Sequence, residues 1–388
     1  MRAVFLPVAV TLAIQTLVAF AIYSTPVMAP VATREIGVSA AAIGYFVAVA
    51  YVGSMLGSAA AGGWVARFGP IRVSQVGLGL CLAGLALAAG GWTPLMLLGA
   101  FVLGVGYGPT TPASSVILVR SAPPDMFSLI FSLKQTGVPA GGVLAGALVP
   151  ALVLTVGWQW AAVAIGASCL VLAALIAPVR ARYDLGLNPA APISLRAAFA
   201  PVALVARMPS LREMAVTSFV YGGVQITLVT YLVTFLIDSF ALSLVLAGAV
   251  MAVSQVASVI GRIAWGTLAD RAVSRRTMLG LLGIGMGVSA AATLAASPAW
   301  PGGLLFAFAS VFGATAVGWN GVYLAEVARV APPGQVSQAT GGCLFFTFLG
   351  VVLTPLAFNA VLALGGGYGL AYAILGLPGL AIGLWLLR

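Results

Sequence analysis

Residues 244–271 read LVLAGAVMAVSQVASVIGRIAWGTLADR, and residues 40–67 read AAAIGYFVAVAYVGSMLGSAAAGGWVAR. Each run is apolar for nearly its whole length and closes on an arginine. At 1.5 Å per residue each reaches about 40 Å, enough to cross a hydrocarbon layer of about 30 Å. At an offset of 204, Gly44, Ser54, Gly57, Gly62 and Arg67 fall on Gly248, Ser258, Gly261, Gly266 and Arg271. At 209, the run Arg120, Ala122, Pro123, Pro124 falls on Arg329, Ala331, Pro332, Pro333, and at 210 Gln15 falls on Gln225. Matches at nearly constant offset are the mark of a duplicated unit, here two six-helix halves.

The remainder of the chain has the same character. Of 388 residues 62% are apolar and 6% charged, with mean hydropathy +1.15. That is about a quarter of the charged share of a soluble protein, far too little to cover a water-facing surface. Cutting at charges, prolines and glycine clusters gives twelve spans: 4–28, 40–65, 73–91, 95–119, 127–153, 158–178, 213–237, 243–269, 278–297, 302–328, 336–363 and 367–387. Continuous apolar runs without period-two alternation exclude a barrel. The expected fold is therefore an all-α membrane protein with a bundle at 1–180, a linker at 181–212 and a second bundle at 213–388. The first run is too long for a secretion signal and has a counterpart in the second half, so it is expected to stay in the mature protein.

Charge sets the orientation. The side of the membrane on which span 1 begins holds Arg2, Arg67, Arg72, Arg120, Arg180, Arg182, Arg196, Arg207, Arg212, Arg271, Arg275, Arg276, Arg329 and Arg388, whereas the opposite side holds only Arg34. This positive-inside pattern predicts cytoplasmic termini in a cell inner (cytoplasmic) membrane. It also accounts for the net charge of +10 without nucleic acid. Trp92, Trp158, Trp160 and Trp300 fall at outer span ends and read as interfacial anchors.

Absences narrow the chemistry. There is no histidine, so no Ser-His-Asp triad and no histidine metal site. The single lysine, Lys134, follows Leu133, which rules out a P-loop. Cys81, Cys169 and Cys343 lie singly in apolar runs and read as buried thiols. No enzyme and no cofactor is implied.

Two cations fall inside spans. Lys134 lies about eight residues into span 5 and Arg262 about eight residues before the end of span 8, each roughly 12 Å deep. A charge at such depth costs about 2.5 kcal/mol or more unless it meets a partner or a wet cavity. The seven acids, Glu35, Asp125, Asp184, Glu213, Asp238, Asp270 and Glu326, all fall at or near span ends. The expected counterion is the substrate, a small organic anion. In the repeat Lys134 falls on Cys343 and Arg262 on Ser58, so neither cation is required by both halves. The competing reading is that both side chains snorkel to the inner surface. Gln15, Tyr221, Gln225, Ser258 and Asn320 are further mid-span polar candidates for substrate contact, and each could equally bond a neighbouring helix. Phe345, Phe346 and Phe348 read as packing.

The connection after span 8, Gly266-Thr-Leu-Ala-Asp270-Arg271 followed by Arg275-Arg276, resembles the cytoplasmic signature G-x-L-a-D-R-x-G-R-R of the major facilitator superfamily. After span 2 the same signature keeps Gly62, Trp64, Arg67 and Gly69 but has Ala66 in the aspartate position. The resemblance implies a transporter working by alternating access. It also implies a conformational latch of Gly62, Arg67, Gly69, Gly266, Asp270, Arg271, Glu326 and Arg329, with Asp270 facing the start of span 5 near Phe127 and Ser128. The setting of Arg262 resembles the family's monocarboxylate and oxalate transporter branches, which implies a carboxylate held by its guanidinium. Gly137-Val-Pro139-Ala-Gly141-Gly142 partly resembles the G-P-x-x-G-G motif of the family's drug/proton antiporters, one residue short, and keeps multidrug efflux as the alternative. A non-transporting receptor or scaffold is a third class, for which no added soluble domain is visible. Mid-membrane carboxylates are absent, so uniport, anion exchange and symport with a proton carried near the substrate all stay open. The protein is expected to be a monomer whose partners are lipid and a small anion.

Overall fold

The computed structural model describes residues 2–121, 130, 133–190, 200–332 and 336–388, with the side chains of 2–4, 40, 59, 119, 200 and 336–338 excepted. These residues form helices joined by short turns. Among the described residues ten helices are individually long and apolar enough to span a membrane, and the pair Ile43–Ser58 and Ala60–Phe68, bent by 53°, is an eleventh when taken as one span. One of the ten, Leu133–Tyr183, is 51 residues long and breaks at Gly157, where φ is 79°. Counting its two limbs as spans 5 and 6 accounts for twelve. Boundaries differ from the sequence expectation mainly at span 1, which runs on through Pro26 and Pro30 to Glu35.

Two compact units emerge: Met1–Ile36 with Val49–Ala198, and Gly37–Ala48 with Phe199–Arg388. In the first, span 1 packs along the span 5–6 helix and span 3 against span 4. In the second, span 7 packs on span 11, span 8 on span 10 and span 9 on span 12.

The repeat seen in the sequence is visible as contact geometry. A Cβ on Gly104 of span 4 would collide with the carbonyl of Ala50 in span 2, and one on Gly313 of span 10 would collide with the carbonyl of Ser254 in span 8. A Cβ on Gly57 would lie 2.9 Å from the Val105 carbonyl, and one on Gly261 would lie 3.0 Å from that of Ala314. These are the same two contacts at the repeat offsets, and glycine is what lets the backbones touch.

Spans 4 and 10 are both discontinuous. Span 4 consists of Thr93–Tyr107 and Thr110–Ser121, with Pro109 lacking a donor at the break. Span 10 consists of Gly302–Ala316 and Asn320–Val330. Breaks at membrane depth leave backbone groups that other side chains must satisfy.

The connection after span 2, where position 66 is an alanine, is held by a carboxylate from the segment after span 6. Asp184, just past span 6, accepts from the backbone N–H of Ile71 at 2.7 Å and of Arg72 at 3.1 Å, capping span 3 (Pro70–Ala88). Arg180 flanks the carboxylate at 3.5 Å, and the Asn188 N–H donates to the Ala66 carbonyl at 2.9 Å. The segment after span 6 thus ties back to the connection between spans 2 and 3 within one unit. Gly69 has φ 92°, and a Cβ there would reach the Asp184 carboxylate. Gly69→Ala is therefore expected to lower thermal stability by about 2 kcal/mol, combining left-handed strain with a lost cap. A melting temperature equal to wild type in detergent would contradict the capping role.

Candidate functional site

Gly137 and Gly141 bring span 5 directly onto span 1. A Cβ on Gly137 would lie 2.9 Å from Gln15 Cβ, and one on Gly141 would lie 2.6 Å from the Thr16 carbonyl. This approach sets Lys134, one turn earlier, against Gln15. Lys134 is 2% exposed and Gln15 1% exposed, so neither reaches the surface as snorkelling would require. The ammonium donates to Gln15 Oε1 at 2.7 Å and Thr111 Oγ1 at 3.2 Å, with Gln135 Oε1 at 3.5 Å. The Thr111 hydroxyl, on the first turn after the break in span 4, also donates to Gln15 Oε1 at 3.1 Å. No carboxylate lies within ion-pair distance of Lys134 among the described residues. Among the described residues the ammonium meets only neutral oxygens. Gln15 Nε2 is enclosed without a hydrogen-bond partner among the described residues, a condition that ordinarily costs about 1–3 kcal/mol.

The second unit repeats half of this arrangement. Gln225, the counterpart of Gln15, accepts at Oε1 from Asn320 Nδ2 and from Trp319 Nε1, both at 3.0 Å. Asn320 stands 209 positions after Thr111, so a glutamine on the first span meets the broken span in both halves. Trp319 and Thr111 are additions to the residues expected from sequence. The repeat offset applied to Asn320 points to Thr111, but a threonine in an apolar run carries no signal of its own.

Arg262 is half-buried. Its Nε and one terminal nitrogen donate to the Val317 carbonyl at 3.2 and 3.0 Å, and Trp265 Nε1 donates to that of Ala314 at 2.9 Å. Both satisfy carbonyls at the end of the first limb of span 10, where a cation also complements the helix dipole. Tyr221 is fully buried, donates its hydroxyl to the Leu279 carbonyl at 2.8 Å and stands edge-on to Trp319. The Ser258 hydroxyl donates to the Gln255 carbonyl at 2.8 Å. Phe345 and Phe346 pack edge to face.

The signature residues are placed as follows. Asp270 pairs with Arg275 at 3.0 Å across its own turn, and Arg271 is exposed beside it. Its expected partners Phe127 and Ser128 lie outside the described residues. Glu326 is buried and holds Arg329, whose Nε donates at 2.8 Å. Gly62 and Gly266 have open space where a Cβ would go, and the Arg67 guanidinium lies over the Phe68 ring. Of the tryptophans at outer span ends, Trp158 is 3% exposed and its indole donates to Glu35, whereas Trp92 and Trp160 are exposed. All three cysteines are free and buried.

Structures with the same architecture include a point mutant of the nucleoside transporter NupG, with TM-score 0.78 and 14% identity over 98% of this chain and 99% of that one. The D-xylose-proton symporter gives 0.75 and 17% over 98% and 97%, and an inward-facing, unoccupied bacterial homolog of the human lysosomal transporter Spinster gives 0.74 and 16% over 99% and 95%. In sequence, the YwtG protein of Bacillus subtilis (strain 168), which carries the name of a metabolite transport protein, is 30% identical over 128 residues. That match spans 33% of this chain and 28% of YwtG. The sequence profile described as Major Facilitator Superfamily matches residues 11–341. With twelve spans, a duplicated architecture and that match over most of its length, the chain belongs to the Major Facilitator Superfamily of membrane transporters.

Proposed function

We propose that this transporter carries a small organic anion, a carboxylate, by alternating access of its two six-span halves, 1–180 and 213–388. The observation that carries the reading is Lys134: a buried cation, the chain's one lysine, held by neutral oxygens with no acid beside it among the described residues. A site of this kind is completed by an anion, which gains a charge-assisted hydrogen bond about twice as strong as the neutral ones it replaces. Gln15 belongs to the same site. Arg262, Gln225, Asn320, Tyr221 and Ser258 are proposed as contributions of the second half, with Arg262 and Tyr221 also tying helices together. The one-sided arginines support cytoplasmic termini in the cytoplasmic membrane. Uniport, exchange and proton symport are compatible with this site.

Proteoliposomes containing the protein are expected to take up a radiolabelled small carboxylate, with unlabelled carboxylates competing and lipophilic cations not. Uptake of a radiolabelled lipophilic cation, with no uptake of any carboxylate, would favour the multidrug alternative.

A further inference from the structure

The hydrogen bonds around Lys134 leave one pair of donors over. An ammonium has three donors and no acceptor, so the amide atom of Gln15 that faces it must be the oxygen. That oxygen already accepts twice, from Lys134 and from Thr111. The Thr111 hydroxyl is likewise spent, giving its hydrogen to Gln15 and accepting from Lys134. What remains is Gln15 Nε2, two N–H donors enclosed beside the ammonium with no partner among the described residues. A buried unfilled donor next to an uncancelled cation is the complement of a group that offers two acceptor oxygens and one negative charge.

We propose that Gln15 Nε2 and Lys134 Nζ form a two-armed clamp for the two oxygens of a single carboxylate, and that Gln15 sets the transporter's charge preference by being an amide and not an acid. The inference deepens the anion reading and rests on it. On binding, one carboxylate oxygen takes the place of Gln15 Oε1 or Thr111 Oγ1 on the ammonium, and the other accepts from Nε2. A monatomic anion fills only one arm. A glutamate at position 15 would be nearly isosteric, would meet Lys134 where Gln15 Oε1 does now, and would act as a built-in counterion. The clamp lies wholly within one unit and involves spans 1, 4 and 5.

The test uses the purified full chain in detergent, with sodium formate, acetate, propionate, malonate, succinate and benzoate as probes and chloride as the one-armed control. Thermal shift and dissociation constant are measured for wild type, Gln15→Met, Gln15→Glu and Lys134→Met. Gln15→Met is expected to weaken the best carboxylate about 10- to 100-fold, the loss of one hydrogen bond to a charged group, without weakening the chloride response. Gln15→Glu is expected to melt higher than wild type without ligand and to lose the carboxylate response altogether. Should either glutamate or methionine prevent folding, the other variant carries the test alone. If Lys134→Met abolishes binding while both Gln15 variants bind as wild type does, the clamp is overturned and the anion reading stands. If no carboxylate shifts the wild type, both are overturned.

Discussion

Lys134→Met is expected to abolish carboxylate uptake in proteoliposomes, a fall on the order of 100-fold or more, while the protein melts higher than wild type. The two effects have opposite signs for one reason. A buried ammonium with no acid partner among the described residues costs folding free energy, about 2.5 kcal/mol on insertion scales, and methionine fills a similar volume without that cost. The partners left behind are not orphaned, because Thr111 already donates to Gln15 Oε1 at 3.1 Å. The same charge is what the substrate needs. A lysine that merely held spans 1, 4 and 5 together would lose stability and activity in parallel, so measuring both separates the two roles. Arg262→Ala gives a less clean answer, since its guanidinium holds the Val317 carbonyl at the break in span 10 and its loss affects structure and site at once.

Gly104→Leu is expected to cost about 3 kcal/mol or more and to leave little folded protein after extraction into detergent. Its Cβ would collide with the backbone carbonyl of Ala50, which no rotamer change can move, along the seam where Gly57 and Gly108 also meet the facing helix. Gly62→Ala and Gly266→Ala are the matched controls: each lies in a helix with open space at the Cβ position, and alanine there is expected to be neutral or stabilising by up to about 1 kcal/mol. Fluorescence-detected size exclusion with thermal unfolding reads all three. Equal stability of Gly104→Leu and wild type would mean that spans 2 and 4 do not pack as described.

Fold and duplication are legible because both are written in composition and in residue spacing, which a sequence displays directly. The pair Gly57 and Gly261 sits at the same offset in the sequence and makes the same backbone contact in both units. The candidate site is legible only as separate members. Lys134 and Gln15 each stand out, one as a charge and one as an amide inside an apolar run, but their contact spans 119 positions and depends on Gly137 and Gly141 closing spans 1 and 5 together. Thr111 is hidden because a hydroxyl in a helix usually bonds its own backbone. Asp184 reads in sequence as one of seven acids at or near span ends. That Asp184 caps span 3 across 113 positions follows from where the chain returns after span 6. Arg262 shows the converse: its depth is legible, but its use on a carbonyl at a broken helix depends on a discontinuity that Val317-Gly318-Trp319 does not announce.

Calorimetric titration of the purified protein with a small carboxylate, without transport or a membrane gradient, addresses the site itself. Wild type should give saturable heat with one site per chain, and Lys134→Met should give none at the same concentrations. Binding by Lys134→Met with the affinity of wild type would show that the buried lysine is not where the anion is held.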